Sequence, residues 1–81
     1  MTKKRMSQRT IATLNRRLKK SWRDHGKIAS NHEVLGILEE EVYELTMALH
    51  QNDNQAIYDE LADCANTCIR GMQKMERKGL A

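Results

Sequence analysis

At 81 residues the chain has room for one domain, too short to bury a sizeable core without a staple, a metal or a partner subunit. The absence of proline and phenylalanine, with only four glycines among many Leu, Glu, Lys, Arg, Met and Ala residues, favours helix and argues against a sheet. The formal net charge of +3 conceals a division: nine Lys or Arg and no acid between Met1 and Arg23, nine Asp or Glu and no Lys or Arg between Asn31 and Asp63. A chain so divided offers a basic surface to anions and an acidic one to cations, unless the two segments pack together and neutralise each other.

The first predicted helix runs from about Ser7 to His25, with Ile11, Leu14, Leu18 and Trp22 at three- and four-residue spacing. Residues 1–6 read as a flexible basic tail on a single domain spanning 1–81. A basic, acid-poor start also suits an organelle transit peptide, but here the apolar pattern continues into the fold. No apolar run is long enough to cross a membrane and no secretory signal opens the chain, so the expected location is cytoplasmic, with no membrane partner. Gly26 ends the helix and "GKIASN" makes a connector.

The second helix is predicted from an Asn31 N-cap to about His50, the third from about Asn54 to Lys78, with "QNDN" between them and Gly79 at the C-cap. A turn this short makes an antiparallel hairpin. The expected fold is therefore all-α: three helices, with a helix-two/helix-three hairpin, completing a four-helix-bundle-like core by oligomerisation as a homodimer or tetramer.

Helix two carries two stripes. Leu35, Leu38, Val42, Leu45 and Leu49 form an unbroken apolar seam, while Val34, Ile37, Glu41, Glu44 and Ala48 lie beside it. Helix three repeats the arrangement, with Ile57, Leu61, Cys64, Cys68 and Met75 next to Glu60, Asp63, Thr67, Arg70 and Lys74. Folding the hairpin brings the pair Glu41 and Glu44 opposite the pair Glu60 and Asp63 at one height. Left alone, four half-buried carboxylates repel and lose hydration; a hard divalent cation removes both costs. The carboxylates are thus candidate ligands for Mg²⁺, with Mn²⁺ also suitable, against the plainer reading of a solvated acidic face. Cys64 and Cys68 read as buried, reduced thiols, His32 as a capping residue, and Trp22 as a packing residue or a platform for a base. Asn66 is a candidate contact for a ribose or base.

"EEVYEL" at Glu40 to Leu45, followed by "DELADC" at Asp59 to Cys64, resembles the E-x-x-E … E-x-x-D signature of the MazG-like all-α nucleoside triphosphate pyrophosphohydrolases. The lead-in "HEVLGILEEEVYEL" resembles phage and prophage members, and the resemblance spans His32 to Met72. It implies Glu41, Glu44, Glu60 and Asp63 as metal ligands and Glu40 as an auxiliary carboxylate. It further implies a Mg²⁺-dependent enzyme that splits a nucleoside or deoxynucleoside triphosphate into monophosphate and pyrophosphate, with Glu40 or Glu41 orienting the attacking water. Arg70 and Lys74 continue the acidic stripe of helix three and are candidate phosphate ligands. Larger members have a further helix after the E-x-x-D segment; here its place falls to the basic first helix or a second subunit, or else activity is lost. The competing readings are an inactive relative serving as a regulatory or adaptor protein, and a nucleic-acid-binding module using "KKR" and "RRLKKSWR" against phosphates.

Overall fold

The computed structural model describes residues 4–80; the first half of the expected basic tail, residues 1–3, lies outside them. Three helices, α1 (Gln8–His25), α2 (Asn31–Gln51) and α3 (Asn54–Lys78), make up the described chain, with no strand among the described residues. Ser7 caps α1, its Oγ accepting from the Thr10 amide at 3.0 Å. The α2 N-cap is Ser30 rather than the expected Asn31. Ser30 is extended, and its Oγ accepts from the Glu33 amide at 3.1 Å, leaving Asn31 as the first helical residue. Asp53 caps α3 through the amides of Gln55 and Ala56, and Gly26 and Gly79 follow α1 and α3 at φ 68° and 84°, where a side chain would be strained.

The turn at Asn52 and Asp53 folds α3 back along α2. The contacts pair early residues of one helix with late residues of the other: Lys74 Nζ donates to Asn31 Oδ1 at 3.4 Å, and Gly71 meets Val34. A Cβ on Gly71 would stand 3.2 Å from Val34 Cγ1, so the helices approach closely where that residue has no side chain. The hairpin packs through the stripe that includes Val34, Ile37, Glu41 and the buried Ala48, against a face of α3 that includes the buried Thr67. Ala48, Thr67 and Gly71 are small, which lets the backbones come together.

The expected apolar seam is buried only in part. Leu35 is 56% exposed, and Val42, Leu49, Leu61 and Met75 are exposed as well, while Leu38, Leu45 and Ile57 are half-buried. Cys68 shares that exposure and corrects the expectation of a buried thiol, whereas Cys64 is half-buried; both are free thiols. The cause is geometric: each helix of a hairpin turns one face to its partner, and here the stripe of Val34, Ile37, Glu41 and Ala48 holds that place.

α1 lies along α3 and parallel to it, with Thr13 meeting Tyr58, Arg17 meeting Asp59 and Asp63, and Ser21 meeting Asn66. These α1 residues recur every four positions, so a polar row joins the helices. The apolar stripe of α1 lies to one side of that row, leaving Ile11 and Trp22 exposed. No Cα of α1 lies within 8 Å of one in α2. The basic and acidic segments therefore neutralise each other only in part, through Arg17. Ile28, Ala48 and Ala62 are the buried apolar residues among those described, a thin core for three helices.

Candidate metal centre

Glu41 projects from α2 toward Glu60 and Asp63, which stand one turn apart on α3, so that one carboxylate oxygen from each lies within 4.8 Å of the others. Oε2 of Glu41 and Oε2 of Glu60 are buried and accept no hydrogen bond from the protein. Their burial without donors should disfavour the ionised form, and it does. The carboxyl of Glu41 is pushed up to about 7, first by burial and then by the charges of Glu44, Asp63, Glu60 and Glu40. Burial raises Glu60 also, followed by the charges of Glu44 and Asp63, with Arg17 opposing.

A set of clustered, half-buried oxygen donors suits a hard divalent cation. Mg²⁺ or Mn²⁺ would give the orphaned oxygens a partner and remove the repulsion, so the residues present fit the metal that the sequence pattern implies. Glu44 is exposed and stands outside the group of three, yet close enough for its charge to raise both Glu41 and Glu60. Glu40 is exposed and lines the cleft next to the cluster.

That cleft, of about 530 Å³, opens between α1 and α2 above a floor formed by α3. Its volume falls in the range of small-molecule sites, about 300–1,000 Å³. Glu40 and Glu41 line the α2 side, and Arg17, Lys20 and Ser21 the α1 side. Asp63, Asn66, Thr67 and Arg70 form the floor, with Lys27 from the connector. Glu40, Glu41 and Asp63 bring carboxylates to the cleft, and the rest of its wall mixes Lys20, Lys27 and Arg70 with Asp24 and Glu33, so the first helix supplies a wall within the same chain.

The candidate substrate residues separate. Asn66 lines the cleft and is 8% exposed; its Nδ2 donates to Ser21 Oγ at 2.7 Å, and its Oδ1 is buried with no donor. Arg70 also lines the cleft, while its Nη2 donates to the Gly26 carbonyl at 3.3 Å. It thus caps the end of α1 rather than pairing with an acid. Lys74 does not line the cleft and reaches the Asn31 side chain instead. Trp22 lies outside it too, with the Arg77 guanidinium 5.2 Å from its ring centroid. Arg17 entered the sequence reading only as part of the basic run "RRLKKSWR", without a role at the acidic cluster. The one available signal was its four-residue spacing from Thr13 and Ser21, a polar row beside the apolar stripe.

No curated protein and no solved structure matches the chain. The family described as the MazG nucleotide pyrophosphohydrolase domain matches residues 29–79, well over half of the chain, and takes in α2, α3 and every carboxylate of the cluster. With the hairpin, the facing carboxylates and the match in agreement, the chain belongs to the MazG nucleotide pyrophosphohydrolase domain family.

Proposed function

We propose that the protein is a Mg²⁺-dependent nucleoside triphosphate pyrophosphohydrolase, converting a nucleoside or deoxynucleoside triphosphate to the monophosphate and pyrophosphate. The observation that carries this reading is the cluster of Glu41, Glu60 and Asp63, with its orphaned oxygens, two of whose members line a cleft that also presents Arg17, Lys20, Lys27 and Arg70.

Glu41, Glu60 and Asp63 would hold the divalent ion, with Glu44 as a further ligand reached by a side-chain rotation. When bound, the ion supplies Lewis acidity and charge neutralisation for the phosphates. The protein's own groups then have distinct tasks. Glu40, exposed at the cleft and one residue before the cluster, is the candidate to orient a water and take its proton. Arg70 and Lys27, with Lys20 held by Asp24 at 2.8 Å, place positive charge where a polyphosphate would run. Asn66 offers an unused carbonyl oxygen to a donor on the sugar or base. Cleavage requires no protein nucleophile, since water attacks and pyrophosphate leaves.

Incubation with a panel of nucleoside and deoxynucleoside triphosphates and Mg²⁺, assayed for pyrophosphate, tests the reading. Pyrophosphate and monophosphate should appear in equal amounts, and Glu41→Gln should lower the rate by about a hundredfold or more. Product containing only inorganic phosphate, or none from any substrate, would contradict it.

A further inference from the structure

Arg17 has not entered the proposed chemistry, although it touches the centre directly. It projects from the middle of α1, with Nη1 2.5 Å from Asp63 Oδ1 and Nη2 3.0 Å from Asp59 Oδ1. Each arm of the planar fork thus holds a different carboxylate, one inside the cluster and one outside it. Its side chain is 27% exposed and lines the cleft.

Arg17 and a metal ion would draw on the same Asp63 charge. A cation ligated by either oxygen of that carboxylate leaves less negative charge on Oδ1 and stands near the guanidinium. The two positive charges repel, so ligation weakens the hold of Asp63 on Nη1. Asp59 retains its claim on Nη2 and keeps the guanidinium at the cleft wall. The arm that loses its carboxylate then needs another acceptor beside the metal, and an anionic oxygen meets that need better than water.

Resting on the reading of the site as a metal-dependent triphosphate pyrophosphohydrolase, we infer that Arg17 is a triphosphate-binding residue. In the empty site its Nη1 is engaged by Asp63, and metal ligation releases it to a phosphate oxygen while Asp59 tethers the other arm. The residue thereby couples the two binding events: metal is opposed by Arg17 until substrate supplies a replacement for Asp63. Lysine serves less well because it has no second arm to be tethered.

The test compares wild type, Arg17→Ala and Arg17→Lys by calorimetric titration with Mn²⁺. A second titration of the Mn²⁺-loaded proteins uses a deoxynucleoside triphosphate analogue bearing a non-hydrolysable α,β-methylene bridge. At about pH 8.5, protons do not compete for the cluster. Arg17→Ala should bind Mn²⁺ about three- to tenfold more tightly, since no cation opposes it, and the analogue about ten- to a hundredfold more weakly. Arg17→Lys should fall between. If the alanine variant fails to fold by circular dichroism, Arg17→Gln, which keeps the stem and a donor, should show the same opposed shifts. Both affinities falling together with the melting temperature, or neither changing, would overturn the inference and reduce Arg17 to a strut between α1 and α3. Wild type that binds neither ligand would overturn the functional reading, and this inference with it.

Discussion

Glu41 gains a proton on folding near neutral pH, because burial and four neighbouring carboxyls raise it to about 7. The direction of the resulting stability change follows from proton counting. Between the ordinary value of 4.5 and about 7 the folded state holds more protons than the unfolded one, so stability falls as pH rises through that window. Above it the penalty is fully present. The whole shift converts to about 3 kcal/mol, which water at a half-buried site reduces to on the order of 1–2 kcal/mol. Metal-free protein should therefore melt several degrees higher at about pH 5.5 than at about pH 8.5, and Glu41→Gln should flatten the difference. Equal melting temperatures for wild type at the two pH values would contradict the burial argument. The same proton must leave before a cation binds, so Mn²⁺ affinity should rise with pH up to about 7 by as much as tenfold per unit. The acidic pairs were legible in the sequence because carboxylates at three-residue spacing share a helix face. The partners of Arg70 and Lys74 were not, since each lies more than forty residues away along the chain, at Gly26 and Asn31.

At the scale of the elements, two helical glycines should respond oppositely to the same substitution. Gly36 faces open space, so Gly36→Ala should stabilise α2 by about 0.5–1 kcal/mol, from the lower entropy of the unfolded chain and better helix propensity. At Gly71 the new methyl would meet Val34 Cγ1 at 3.2 Å, and Gly71→Ala should forfeit that gain and cost up to about 1 kcal/mol. Chemical denaturation at constant m-value measures both; an equal gain at Gly71 would show that the hairpin is looser than described. Helix boundaries were readable from caps and glycines to within a residue or so. Their faces were less so, because a continuous apolar seam does not say which face of a helix meets its neighbour in the chain. On α2 the hairpin contact went to the stripe containing Glu41, and on α1 a row of Thr13, Arg17 and Ser21 displaced the apolar stripe from the contact with α3.

Over the whole molecule, the cleft and the exposed seam have different tasks. Leu35, Val42 and Leu49 recur every seven residues on one face of α2, and Leu61, Cys68, Met72 and Met75 extend along α3, all outside the cleft lining. An exposed apolar area of this kind on so thin a core is the surface that the homo-oligomer expected from the sequence would cover. Leu61→Glu should halve the sedimenting mass at micromolar concentration while leaving isolated helical content in place; a wild type that sediments as a 9.4 kDa monomer would contradict oligomerisation. Bundle completion between chains was inferred from chain length and composition. For the missing wall the sequence left the first helix, a second subunit or lost activity open, and the packing of α1 on α3 puts the first helix along the cleft. No described helix is long and apolar enough to cross a membrane.

The reading of the acidic cluster as a metal centre is tested most directly by thermal melting with and without divalent ions. A cation that binds the folded state alone stabilises it by about 2.7 kcal/mol at a hundred times its dissociation constant. Millimolar Mg²⁺ or Mn²⁺ at about pH 8 should raise the wild-type melting temperature by several degrees. Glu60→Gln, which removes one ligand and one repelling charge, should fold, melt higher than wild type without metal, and show no further rise with it. A wild-type melting curve indifferent to both ions would contradict the metal centre and the hydrolase built on it.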